Sequence, residues 1–267
     1  MKINLSAGSL HTLPPRKVFE IARDVGFAGI EIIINHDYEY GAGKELLAEV
    51  VEILPVASIH APFFEINGWG NKIDQLNKTV RLAKLFDIPL VNFHPPVWLG
   101  LERKFWRWMN KISDFQQDVG EGEVIVTIEN MPATGPLGCN PYFLSNTGAM
   151  IDFMDKHNLY LTFDTAHMGT YKTNFLTDFH HFYNSGRIRN VHFSDYANGR
   201  EHLLPGHGKL PLTRFLNHLQ QTGYDGTLTL ELTPSELPES EELICASLSE
   251  ILTYIREQTG QALQSAV

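Results

Sequence analysis

Eight short β-rich runs recur along the chain with longer amphipathic segments between them, and this alternation limits the fold more than any other feature. The runs are KINLSA (2–7), GIEIII (29–34), VASIHA (56–61), LVNFHP (90–95), VIVTIEN (124–130), LYLTFDT (159–165), IRNVHFS (188–194) and GTLTLEL (226–232). Each is rich in Val, Ile, Thr or Phe, and most are bounded by Gly, Pro or Asn. Helical patterns fill the gaps. PPRKVFEIARDVGF places proline in a first turn and Gly26 at the C-cap. DQLNKTVRLAKLFDIP spaces Leu76, Val80, Leu82, Ala83 and Phe86 as a helix would and stops before Pro89. A shorter helix is expected around 44–53, and ERKFWRWMNKISDFQQDVG (102–120), NTGAMIDFMDKHN, TDFHHFYNSG, PLTRFLNHLQQTGYDG and SEELICASLSEILTYIREQTG complete the set.

A strand followed by a helix, eight times in 267 residues, gives about 33 residues per unit and predicts βα units around a parallel sheet. The expected fold is therefore α/β: one (β/α)8 barrel over residues 1–267, with 259–267 as a frayed tail. An open doubly wound sheet is the runner-up. No G-x-G-x-x-G or G-x-x-x-x-G-K-[ST] follows the first strand, which disfavours a nucleotide-binding sheet. No linker or low-complexity tract divides the chain.

The strand ends carry the chemistry. The third run ends on His60, the fourth on His94 and the fifth on Glu129; the sixth ends on Asp164 with His167 beyond. The seventh ends on His192 with Asp195 beyond, and the eighth on Glu231. Successive gaps from His60 are 34, 35, 35, 28 and 39 residues, close to one βα unit each. In a parallel barrel all of these side chains reach the C-terminal mouth, where barrel active sites are built. A single His or Glu at a strand end is usually just hydrogen-bonded or solvated. Six in succession, one per unit, crowd carboxylates and imidazoles into one partly dry place, and a divalent cation neutralises such a cluster. Oxygen and imidazole donors without thiolate suit zinc, manganese, cobalt or magnesium.

Other residues are less telling. Glu31 and His36 flank the end of the second strand; Trp69 and Trp98 follow His60 and His94 in loops, where packing and covering a substrate are equal alternatives. His11, His157, His180, His181 and His218 are expected on the surface or in packing. The net charge of -10 disfavours nucleic acid and anionic membranes as partners. Two cysteines, Cys139 and Cys245, do not make a disulfide framework. The N-terminus MKINLSAGS lacks an apolar signal core, and no run reaches the roughly 18 apolar residues of a membrane helix. The expectation is a cytoplasmic protein with reduced thiols.

The segments SIHAP, NFHPP, TIENMP, FDTAH, VHFSD, GREHLLPGHGKL and TLELT, in this order and over nearly the whole chain, resemble the xylose isomerase-like TIM-barrel superfamily. That superfamily contains sugar isomerases, ketose epimerases and class II apurinic endonucleases. Resemblance to the isomerase and epimerase branch implies one divalent metal on Glu129, Asp164, His192 and Glu231, with Glu129 and Glu231 also acting as an acid–base pair. It implies substrate contacts from His167 and Arg200, and Trp98 is a further candidate contact. The implied activity is isomerisation or epimerisation of a sugar or sugar phosphate by proton transfer next to a carbonyl, through an ene-diolate.

Resemblance to the endonuclease branch implies a different function, a zinc-dependent phosphodiesterase. Its ligands would add His60, His94, His167 and His202, enough for a second zinc. The carboxylate expected two residues before His202 is replaced by Arg200, which opposes a third. A metal-binding relative without turnover is the remaining alternative. In the loop HLLPGHGKLP a structural turn is expected around His207, and a solvated role for Lys209. Relatives associate as homo-oligomers, so a dimer or tetramer is also an expectation.

Overall fold

Eight parallel strands are hydrogen-bonded edge to edge into a closed ring. The structure, a computed structural model, describes residues 1–38, 42–98, 102–133, 140–171 and 174–261. The ring strands are β1 (Lys2–Ser6), β2 (Gly29–Ile33), β3 (Val56–His60), β4 (Leu90–Phe93), β5 (Ile125–Glu129), β6 (Tyr160–Asp164), β7 (Ile188–Phe193) and β10 (Thr227–Leu230). β1 pairs with both β2 and β10, which shuts the barrel and rules out the open sheet. Every run read from the sequence overlaps one of these strands, with ends that differ by no more than two residues.

Helices pack outside: α1 (Pro15–Val25), α2 (Ala42–Val50), α3 (Lys72–Leu85), α4 (Arg103–Met109), α5 (Phe115–Asp118), α6 (Thr147–His157), α7 (Thr165–Gly169), α8 (Phe175–Asn184), α9 (Leu212–Gln221) and α10 (Glu241–Gln258). α1 ends where expected, on Gly26 at φ 96°, a left-handed conformation glycine adopts without a Cβ penalty. α3 begins two residues before the expected segment DQLNKTVRLAKLFDIP, at Lys72. Asn71 accepts from the Ile73 and Asp74 backbone N–H groups, and the Asp74 carboxylate accepts from the Asn71 N–H.

The segment 102–120 departs from the expected single helix. Asp114 Oδ1 accepts from the backbone N–H groups of Gln116 and Gln117, starting a new helix, and the Asp118 carboxylate accepts from those of Ser113 and Asp114. These side chains offer the backbone partners that a continuous helix would have supplied, so the chain breaks into α4 and α5. Two further elements go beyond the expected set: α7, directly after β6, and an antiparallel hairpin of β8 (Asp195–Ala197) and β9 (Arg200–Leu203).

Alternate residues of each barrel strand face the helices. Ile30, Ile32, Val91, Phe93, Val126, Ile128, Leu161, Phe163, Val191, Phe193, Leu228 and Leu230 are buried there. Phe163 shows the packing: the rings of Phe175, Phe179, Phe182 and Phe215 lie 5.4–6.2 Å from its own. Among the described residues, no helix is long and apolar enough to cross a membrane. Cys139 and residues 262–267, most of the expected tail, lie outside the described residues. Cys245 is a free, half-buried thiol on α10.

Candidate metal centre

The residues between those outward-facing positions turn into the barrel, and they are polar. They form two tiers. The upper tier holds His60, His94, Glu129, Asp164, His192 and Glu231; two residues earlier on the same strands lie Ser58, Asn92, Thr127, Thr162, Asn190 and Thr229. The lower tier is fully buried, and most of it is bonded within itself. The Thr127 and Thr162 hydroxyls are 2.8 Å apart, Thr127 also donates to Asn92 Oδ1, and Thr229 donates to Asn190 Oδ1 at 3.0 Å. Asn92 Nδ2 rises to donate to Glu129 Oε2 at 2.5 Å, linking the tiers.

Four upper-tier side chains converge. One ligand atom from each of Glu129, Asp164, His192 and Glu231 can be chosen so that all lie within 4.8 Å of one another. His192 Nδ1 is 3.5 Å from Glu129 Oε1, 3.7 Å from Asp164 Oδ2 and 2.8 Å from Glu231 Oε2. Asp164 Oδ2, His192 Nδ1 and Glu231 Oε2 are buried without an aligned hydrogen bond among the described residues, the close approach of His192 Nδ1 to Glu231 Oε2 included. Buried polar atoms are costly when left unpaired, so three such atoms aimed at one point fit a cation. The sets His60, His94, Glu129 and Asp164, His167, His202 are similarly grouped.

Hydrogen bonds fix the imidazoles. His60 Nδ1 donates to Ala61 O at 2.8 Å, which turns its Nε2 toward His94 Nε2 at 3.1 Å and Glu129 Oε2 at 3.2 Å. His167 sits on α7, whose first turn is capped by Asp164 Oδ1 accepting from the His167 N–H at 2.7 Å. Its Nδ1 is 3.0 Å from Asn130 O and 3.1 Å from Glu129 Oε1. Burial opposes charge on His167, but Asp164 and Glu129 outweigh it and push the pKa up to about 10. His192 is likewise raised well above its ordinary value: burial is outweighed by Glu31, Glu231 and Glu129. Glu129 and Glu231 are held below the usual carboxylate range, because His192 and its neighbours overcome burial. Burial raises Asp164 and, with His60 alongside, pushes His94 well down.

Glu31 is the residue that inspection of strand ends undervalued. It is fully buried on β2, accepts from Ser58 Oγ at 2.7 Å and Asn190 Nδ2 at 3.3 Å, and sets Oε1 2.8 Å from His192 Nε2. The last contact lies off the hydrogen-bond axis, yet it puts a carboxylate behind the ring nitrogen that faces away from the cluster. A sequence signal of the polar barrel interior around it is the Ser, Asn or Thr two residues before each of His60, His94, Glu129, Asp164, His192 and Glu231.

Asp195, counted from the sequence with the strand-end cluster, faces elsewhere. Its carboxylate accepts from the backbone N–H groups of Tyr196, Gly206, Gly208 and Leu210 and so shapes the turn Pro205–Gly208. A Cβ on Gly208 would lie 2.2 Å from Asp195 Oδ1, so that glycine is needed for close approach. Arg200 is exposed and bonds Glu236 Oε1 at 2.5 Å, and His207 bonds the other oxygen at 2.8 Å. Lys209 is tied to Asn198 Oδ1. Trp98 is exposed, with its indole N–H donating to Asn140 O at 3.2 Å. Trp69 is buried and donates to Tyr38 O.

Two cavities open beside the cluster. One of about 270 Å³ includes Phe63, Lys72, Gln75, His94, Glu102 and Tyr142 in its wall. The other, about 510 Å³, is mainly apolar and reaches Glu231 and His202 past Phe19, Ile33, Phe64 and His36.

Solved structures share this architecture. A D-tagatose 3-epimerase-like protein superposes with a TM-score of 0.73 at 21% identity, covering 98% of this chain and 99% of its own. A D-psicose 3-epimerase solved in the presence of D-fructose gives 0.71 at 16%, covering 97% and 100%. A family 2 AP endonuclease of Brucella melitensis gives 0.68 at 17%, covering 91% and 97%. In sequence, an uncharacterised protein of Mycobacterium tuberculosis is 26% identical over 290 residues, spanning 96% of this chain and 98% of the relative. The family model described as "Xylose isomerase-like TIM barrel" matches residues 19–251. A closed parallel barrel whose polar residues gather at the C-terminal ends of its strands is what that match leads one to expect, and the chain belongs to the xylose isomerase-like TIM-barrel family.

Proposed function

We propose that the chain is a divalent-metal-dependent isomerase or epimerase of a small polyhydroxylated carbonyl compound, with the ion held by Glu129, Asp164, His192 and Glu231. The observation that carries this is the convergence of those four side chains, three of whose buried ligand atoms lack an aligned hydrogen bond among the described residues. The bound ion would polarise the substrate carbonyl and stabilise charge that develops on its oxygen. Glu129 and Glu231 approach His192 from two strands, β5 and the end of β10, and both are held ionised by neighbouring imidazoles. One takes the proton next to the carbonyl and the other returns it, on the opposite face for epimerisation or on the neighbouring carbon for isomerisation. His167, on a buried helical turn, is suited to hold a substrate hydroxyl. The likeness to sugar epimerases supports this reading at the level of fold.

Deuterium incorporation tests it. Ketoses incubated in deuterated water with Mn²⁺, Co²⁺, Mg²⁺ or Zn²⁺ are expected to exchange at a carbon next to the carbonyl. Glu129→Gln and Glu231→Gln should each lower the rate at least 100-fold. A broad panel without exchange under any metal would count against the proposal.

The two further ligand groups favour a second reading, phosphodiester hydrolysis by two or three zinc ions. Arg200 brings no carboxylate to the third group, although Glu201 Oε2 lies 3.8 Å from His167 Nε2. Metal content separates the readings: one tightly held ion per chain supports the isomerase, while two or three with nicking of abasic duplex DNA support the hydrolase.

A further inference from the structure

We propose that the smaller cavity, beside His94, is a subsite for neutral vicinal hydroxyl groups, built by Lys72, Gln75, Glu102 and Tyr142 and hostile to a phosphate. Its role as the seat of the substrate's tail rests on the proton-transfer reading above, which puts the carbonyl over Glu129 and Glu231. His94 joins the two places: it lines the cavity, and its Nε2 is 3.6 Å from Glu129 Oε2.

Each polar group in the wall asks for something different. Among the described residues Lys72 Nζ is a donor held only by Pro62 O, at a long 3.3 Å, and burial lowers its pKa. Gln75 donates from Nε2 to Phe64 O, while its Oε1 is buried with no partner among the described residues and requires a donor. Glu102 accepts from the Val97 N–H and forms no ion pair with Lys72, so it retains acceptor capacity. Tyr142, half-buried, both donates and accepts, and burial keeps its phenol protonated.

A hydroxyl group donates and accepts at once, so a row of them satisfies a cation, a carboxylate and an amide oxygen together. A phosphate only accepts. It would gain from Lys72 but would face the Glu102 carboxylate and the Gln75 oxygen with nothing to offer them. The larger cavity is a poorer seat for such a tail: Leu13, Val18, Phe19, Ile33, Phe64 and Leu232 dominate its wall and would strip the hydroxyls of water without replacing it. Phe63 lines both cavities and stacks on His94 at 5.2 Å, dividing the polar arm of the mouth from the apolar one.

Ligand-observed saturation-transfer NMR tests the subsite without turnover, using linear four- to six-carbon polyols and their terminal phosphate esters, with and without Mg²⁺. Polyols are expected to bind, and their phosphate esters at least tenfold more weakly. Glu102→Gln keeps an oxygen for the Val97 N–H and should bring the two within about threefold. Tyr142→Phe, a change too mild to unfold the barrel, should weaken polyol binding at least threefold. Absence of polyol binding, an ester bound as tightly as its parent, or variants that bind like the unaltered protein would overturn the proposal. Polyol binding here combined with no proton exchange on any ketose would sink the isomerase reading instead. Exchange on ketose phosphates in preference to free ketoses would sink the subsite and leave the isomerase standing.

Discussion

Glu31 meets the proposed cation only through an imidazole. Its carboxylate is fixed from below by Ser58 and Asn190, and it sits behind His192 Nε2 while Nδ1 faces Glu129, Asp164 and Glu231. An anion in that place makes the facing nitrogen a better donor and holds the ring's rotation. Glu31→Gln preserves size and can keep the Ser58 contact, so the barrel should fold. Metal affinity measured by chelator competition should fall about 10–100-fold. Unchanged affinity would reduce Glu31 to a packing role.

The hairpin of β8 and β9 carries Glu201 and His202 to the rim and turns through Asn198 and Gly199, at φ 54° and 79°. Both angles positive is the signature of the tight turn that Asn-Gly favours. His202 itself sits at φ 55°, a rare conformation for a side-chain-bearing residue, so the hairpin holds its ligand candidate under backbone constraint. Gly199→Val should destabilise the protein by about 1–2 kcal/mol in denaturant titration. Metal binding at Glu129, Asp164, His192 and Glu231 should survive, since none of them lies on the hairpin. Loss of that binding would show that the hairpin helps assemble the centre.

Legibility also divides along elements. The eight strands were readable because alternation and β-branched residues reach the strand ends together, and the ligand candidates were readable because they recur once per unit. The hairpin was hidden inside a stretch that resembled a loop, although Asn198–Gly199 announces a turn. The break between α4 and α5 depends on side chain–backbone bonds from Asp114 and Asp118, which apolar periodicity does not register. Glu31 was hidden because its importance lies across the barrel, with Asn190 159 residues away.

Taken as a whole, the molecule gathers four carboxylates (Glu31, Glu129, Asp164 and Glu231) and several imidazoles at one end of its barrel, and without a cation protons must balance them. His167 has a pKa of about 10, above the ordinary 6.5 of an unfolded chain. Its contribution to stability is therefore complete below pH 6.5 and is lost as pH rises through about 10; His192 acts in the same direction. A metal needs the ligating imidazole neutral, so binding should expel protons and strengthen as pH rises. Calorimetry at pH 7 in buffers of different ionisation enthalpy should show at least one proton released per ion; none released would contradict this charge assignment. Metal at 100 times its Kd should stabilise the fold by about 2.7 kcal/mol.

The lower tier of Ser58, Asn92, Thr127, Thr162, Asn190 and Thr229 acts as a foundation for everything above it. Because the four-residue centre is braced from within the staves, the surrounding loops are free to diverge. New specificities can arise by rebuilding the rim while the four proposed ligands stay in place.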